Sequence, residues 1–224
     1  MNIVNNMDNI QILIYAHAGL GGLALLAGAT ALFAKKGSWL HKKSGKSFYW
    51  TMLATALLAL SISILPKHES PFLFAIGIFS TYFIISGYRA LQYKHQKSNL
   101  IADKIIAWVM IVTGISMILY PVIQKNSTNV VLTVFGSIGL IFAIRDLTSF
   151  KNLDQLKSDY LKLHAGKMIG AYISAVTAFV VVNELIPSIY GWFIPGIIGG
   201  VYIAYWMRKL NKKSGKKKHR RYKH

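Results

Sequence analysis

Long apolar blocks separated by short polar runs dominate this sequence, and that alternation constrains the fold more tightly than any motif in it. Blocks near 10–34, 48–65, 71–92, 105–123, 130–147, 166–186 and 189–207 approach the about 20 residues that a helix needs to cross bilayer hydrocarbon. In lipid every backbone N–H and C=O must be satisfied internally, which leaves helices and closed barrels, and runs of this length select helices. Charged residues make up only 15% of the chain, against about 25% in a soluble domain. The expectation is an all-α polytopic membrane bundle of seven transmembrane helices, with the second and fifth the shortest.

The polar runs alternate in charge. Lys35, Lys36, Lys42, Lys43 and Lys46 fall between the first two blocks. Arg89, Lys94, Lys97 and Lys104 surround the third-to-fourth connection, and Arg145, Lys151, Lys157, Lys162 and Lys167 the fifth-to-sixth. The C-terminal run from Arg208 is the most basic, whereas the intervening connections hold only Lys67 and Lys125. Translocating lysine and arginine is unfavourable, so the rich side is cytoplasmic. This predicts an N-terminus outside, a C-terminus in the cytoplasm and an odd number of spans.

The net charge of +19 is thereby read as topology, and no nucleic-acid partner is expected. Residues 1–207 form one bundle and 208–224 a basic cytoplasmic tail. Arg208, Lys209, Lys212, Lys213, Lys216, Lys217 and Lys218 are expected on anionic lipid headgroups, at roughly 1 kcal/mol each near the surface. MNIVNNMDNIQ lacks the basic leader of a signal peptide, so the first block reads as a retained helix. Pro66, Pro71, Pro121 and Pro187 fall at outer helix ends, and Pro195 is expected to kink the last span.

Several chemistries drop out. With no cysteine there are no disulfides, thiolate metal sites or cysteine nucleophiles. Gly45-Lys46-Ser47 resembles the end of a phosphate loop, but Leu40 stands where the first glycine belongs and Phe48-Tyr49-Trp50 begins a span. No Ser-His pair for a hydrolase is recognisable.

What remains is histidine and a few charges. His17 sits about seven residues into the first block, roughly 10 Å below its outer boundary. An ionisable residue at that depth is a functional candidate by default, weighed against a simple hydrogen bond to a neighbouring helix. His41 in the first inner loop and His164 opening the sixth helix share one depth on the cytoplasmic side. His17, His41 and His164 are the candidate ligands of a haem or metal ion, with His41 and His164 the better-matched pair. Arg89, Asp103 and Asp146 form a candidate polar cluster at the same boundary, with interfacial ion pairing as the plainer account.

Small residues recur every four positions in Ala18/Gly22, Ala24/Gly28, Gly166/Gly170/Ser174/Ala178 and Gly196/Gly200/Ala204. They are read as helix-packing faces that could also serve an oligomer. HAGLGGLALLAGATALF from residue 17 and HAGKMIGAYISAVTAFV from residue 164 echo one another, but the flanking spans do not extend the match.

HAGLGGLALLAGATAL, KKGSWLHKKSGKSFYWTML, SGYRAL, FGSIGLIFAIRDL, HAGKMIGAYISAVTAFVVVN and YIAYWMRK follow one another in a distinctive order. In these segments the chain resembles an uncharacterised family of bacterial multi-pass membrane proteins, the domain of unknown function 2306 type. Lys42 and Lys46 stand where arginines would be expected in such motifs. The resemblance implies a small helical membrane fold and the bacterial inner membrane, and it supplies no reaction. Three functions compete: a haem- or metal-binding redox protein, a small-solute or lipid transporter, and a non-catalytic assembly scaffold.

Overall fold

The computed structural model describes residues 2–95 and 99–221, with side chains over 10–211 except Lys125. Among the described residues it is helical throughout, in the order α1 (Asn2–Phe33), α2 (Trp39–Ile62), α3 (Pro71–Arg89), a 3₁₀ turn (Ala90–Lys94), α4 (Ile101–Lys125), α5 (Val130–Ser149), α6 (Leu153–Val182) and α7 (Tyr190–Arg221). Side-chain oxygens start four of these helices. Ser38, Ser70, Asn129 and Asn152 each accept from a backbone N–H of the first turn, and Pro71 follows Ser70 where its missing N–H costs nothing. Asn126, left-handed at φ 45°, ends α4.

Five helices are long and apolar enough to cross a membrane: α1 over Ile10–Phe33, α3 with its 3₁₀ extension, α4, α5 and α6. α2 falls short because Lys46, Tyr49 and Trp50 share its apolar length, and α7 because glycine, tyrosine, tryptophan and proline dilute its aliphatic content. Two helix starts that bear on the candidate residues differ from the sequence expectation. α2 begins at Trp39 rather than near 48, so His41 lies in a helix and not in a loop. α6 begins at Leu153 rather than near 166, so His164 and Lys167 sit well inside it. Basic side chains had been assigned to connections, yet one turn of a membrane helix can extend into the headgroup layer with its lysines intact.

α3 is the hub. It packs against α2, α4, α5 and α6, whereas α1 pairs with α2, α4 with α5, and α6 with α7. Its spanning window is 44% buried inside the protein, against 11% for α1. Around it Phe79, Phe83, Phe135 and Phe142 meet mostly edge to face, an arrangement that ring quadrupoles favour. The backbones of α4 and α5 come close at a pair of glycines. A Cβ on Gly114 would lie 2.9 Å from the Gly136 carbonyl, and one on Gly136 2.8 Å from the Gly114 carbonyl.

The small-residue faces divide. Gly28 packs under Tyr172 and Gly170 under Phe83, as packing glycines do. Gly22, Gly166, Gly196 and Gly200 face open space, and on α7 it is Gly199, outside the predicted stripe, that meets Ile173. α7 runs as a helix through Pro195 and on to Arg221, so the basic tail continues the last helix.

Candidate functional site

The side chains of interest gather where α3, α5 and α6 meet near the basic end of the bundle. Asp146 lies three residues before the end of α5, and Lys167 stands about 21 Å along α6 from Leu153. Both are buried, at 4% and 2% exposure, and Lys167 Nζ donates to Asp146 Oδ2. Tyr82, from α3, donates its hydroxyl to the same oxygen at 2.7 Å and places its ring 5.1 Å from the ammonium. Three helices therefore converge on one carboxylate oxygen.

The bonding capacity is incompletely used. Asp146 Oδ1 accepts no hydrogen bond, and two of the three Lys167 N–H donors have no partner among the described residues. A buried pair of this kind is held against a large desolvation cost, and its spare donors and acceptor lie inside an apolar bundle. Above it, Phe83 lies against Gly170, between Lys167 and the buried Ser80–Ser174 hydrogen bond farther along the α3–α6 interface.

A second group sits toward the basic end. Arg89 grips Asp103 with two hydrogen bonds, Nε to Oδ1 at 2.8 Å and Nη2 to Oδ2 at 2.7 Å, and the Tyr93 hydroxyl adds a third at 2.7 Å. Asp103 occupies the first turn of α4, where the helix dipole favours an anion. Ala90, Tyr93, Phe150 and Leu156 form a small apolar cap nearby. Asp103 is also within electrostatic reach of Lys167, so the two groups share one field.

The three histidines follow a common pattern. His17 Nδ1 lies 3.0 Å from the Thr55 carbonyl, His41 Nδ1 2.9 Å from that of Ala31, and His164 Nδ1 2.8 Å from that of Gly87. A carbonyl only accepts, so Nδ1 is the donor in each ring and Nε2 is the nitrogen left for another partner. Ala31 and Gly87 belong to the last turns of α1 and α3, where His41, with Lys36, and His164 bond the helix-end carbonyls. His41 and His164 lie within electrostatic reach of each other. His17 is separate: the pairs 17/55 and 31/41 keep one antiparallel register, which puts His17 about 21 Å from His41 along the hairpin. Among the described residues no three histidines or carboxylates are grouped to hold a metal ion.

The predicted boundary cluster of Arg89, Asp103 and Asp146 thus resolves into two clusters on different partners. Lys167, Tyr82 and Tyr93 escaped the sequence reading. Lys167 was counted with the loop lysines, and the tyrosines look like any interfacial aromatics. A usable signal exists on α6, where Lys167, Gly170, Ser174 and Thr177 recur at helical spacing on a buried face. Of the basic tail, Lys209 stacks on Tyr205 and Trp206, and the side chains of Lys212, Lys213, Lys216, Lys217 and Lys218 lie outside the described residues.

Comparison with family models, curated proteins and solved structures finds no match to this chain. The family likeness rests on the sequence segments quoted above.

Proposed function

We propose that this chain is a proton-coupled small-solute transporter, with Asp146, Lys167 and Tyr82 as its coupling site. The observation that carries the reading is the buried ion pair with one carboxylate oxygen and two ammonium donors unused. Ionisable groups inside membrane helices are costly and mark ion or solute pathways. The pair is neutral only as carboxylate with ammonium, or as acid with amine. Adding a single proton to Asp146 leaves Lys167 charged and unpaired in the bundle, and a bound anionic solute relieves that imbalance. Proton and solute binding are coupled for this reason. The reading places seven spans in a bacterial inner membrane, N-terminus outside, with the basic end and its access to the site in the cytoplasm.

Proteoliposomes with a pH dye inside test it. A panel of small anionic and neutral solutes is added under a pH gradient, beside protein-free vesicles. One solute is expected to move protons with wild type and not with Lys167→Met. Equal flux with the variant, or none with wild type across the panel, overturns the proposal.

A second reading is that His41 and His164, each with Nδ1 bonded to a helix carbonyl and within electrostatic reach of the other, would hold a haem iron through Nε2. Bound there, haem would supply one-electron redox chemistry, and the Nδ1 bonds to helix carbonyls would fix each ring's orientation. Protein produced with haem supplied should then show a Soret band that His164→Ala removes. A spectrum without that band rejects it.

A further inference from the structure

A second feature lies on the far side of α6 from the ion pair. Helices α1, α6 and α7 enclose a groove of about 370 Å³ lined by Leu32, Phe33, Ile173, Val176, Ile194 and Ile198 among other apolar side chains. Along α6 it extends from Ile169 to Val180, about 16 Å. That is close to half the about 30 Å hydrocarbon core, the depth of one lipid leaflet.

The end of the groove toward the basic side carries donors without acceptors. Lys36 Nζ bonds the terminal carbonyls of α1, Ala31 at 3.0 Å and Leu32 at 2.7 Å, which leaves its third donor unused. Its ammonium sits 5.1 Å from the Trp206 ring, and Lys209 approaches the same ring at 4.7 Å. Among the described residues its other contacts are with Tyr205, the hydroxyl at 3.5 Å and the ring at 5.6 Å. Among the described residues neither lysine has a carboxylate within ion-pair distance. Two cations therefore flank one indole at the mouth of an apolar slot. Burial holds Lys36 below the ordinary lysine value, a loss that a nearby anion reverses.

We infer that this groove is a binding site for an anionic phospholipid, with one acyl chain between α6 and α7 and the phosphate against Lys36 and Lys209. The match is one of length, polarity and charge together. Annular lipid, which any apolar surface attracts, needs no paired cations at a fixed depth. Tyr202 borders the mouth and donates its hydroxyl to the Leu32 carbonyl at 3.1 Å, so the headgroup level and the acyl slot share lining residues.

Native mass spectrometry of the detergent-purified full chain, titrated with dioleoyl phosphatidylglycerol, dioleoyl phosphatidylcholine or glycerol phosphate, tests the inference. Wild type should bind one phosphatidylglycerol about 30-fold more tightly than phosphatidylcholine, the worth of two basic residues near an anionic headgroup. Lys209→Gln, at an exposed position that leaves the α1 cap intact, should lose about fivefold, and Lys36→Gln/Lys209→Gln should abolish the preference. Ile198→Trp, which fills the slot from an exposed position, should weaken both lipids. Equal affinity for the two lipids, an unchanged preference in Lys209→Gln, or displacement of the lipid by glycerol phosphate at comparable concentration overturns it.

Discussion

Asp103 and Asp146 are two buried carboxylates in one protein, and they are satisfied to different degrees. Asp103 has three hydrogen bonds to its two oxygens and a helix N-terminus behind it. Asp146 has two donors, both on Oδ2, and no helix N-terminus, since it lies near the other end of α5. The partners differ as well. Arg89 is fixed by a two-pronged geometry and always charged, whereas Lys167 is a point charge on a flexible stem that can release its proton when buried. A carboxylate whose capacity is filled serves best as a fastener. One that keeps an oxygen and a deprotonatable partner in reserve is suited to change state.

Removing one partner of each pair should separate the two most sharply. Lys167→Met leaves Asp146 buried without its cation and should cost about 3–5 kcal/mol in detergent unfolding experiments. Adding Asp146→Leu should restore most of that loss, because an apolar pair of similar volume needs no desolvation. A double variant as unstable as the single one would show that the pair itself holds the helices. Arg89→Met should cost less, about 1.5–3 kcal/mol, since Arg89 is partly exposed and Asp103 keeps Tyr93 and the α4 dipole. The order of the two midpoints checks this, and a larger loss for Arg89→Met sinks the comparison.

The tyrosines give a finer test. Tyr82→Phe removes one of only two hydrogen bonds to Asp146 and should cost about 2 kcal/mol, whereas Tyr93→Phe takes one of three from Asp103 and should cost about 1 kcal/mol. Equal losses measured by urea or thermal unfolding would mean that the spare capacity of Asp146 is already met. Salt should have the smallest effect. At 1 M the screening length falls to about 3 Å, so the partly exposed Arg89–Asp103 pair should weaken by a few tenths of a kcal/mol. The benefit of Arg89, read as wild type against Arg89→Met, should shrink with salt while that of Lys167 stays constant.

The helical architecture was legible because apolar run length is a local signal, and Arg89, Asp103 and Asp146 stand out in sequence as rare charges beside apolar runs. Its limit came from treating charge as a marker of position. Lys42, Lys43 and Lys46 were placed in a loop that proved to be the first turns of α2, and Lys167 was credited to a connection although α6 buries it. Which carboxylate Lys167 meets depends on how α5 and α6 face one another, and no spacing within either helix encodes that. The sequence marks His17, His41 and His164 as rare ionisable groups, yet their partners are backbone carbonyls, which have no identity in a sequence. His17 could be separated from the other two by depth alone, and the hairpin register agrees with that separation.

The carbonyl of Leu32, at the end of α1, accepts from Lys36 in the following turn and from Tyr202 on α7, which is 170 residues away. The order of synthesis gives this contact a consequence. The first hairpin leaves the ribosome early, with that carbonyl half capped and the flank of α1 open to lipid. Once α7 is in place its tyrosine latches α1, so two helices far apart in the chain are joined at a single carbonyl.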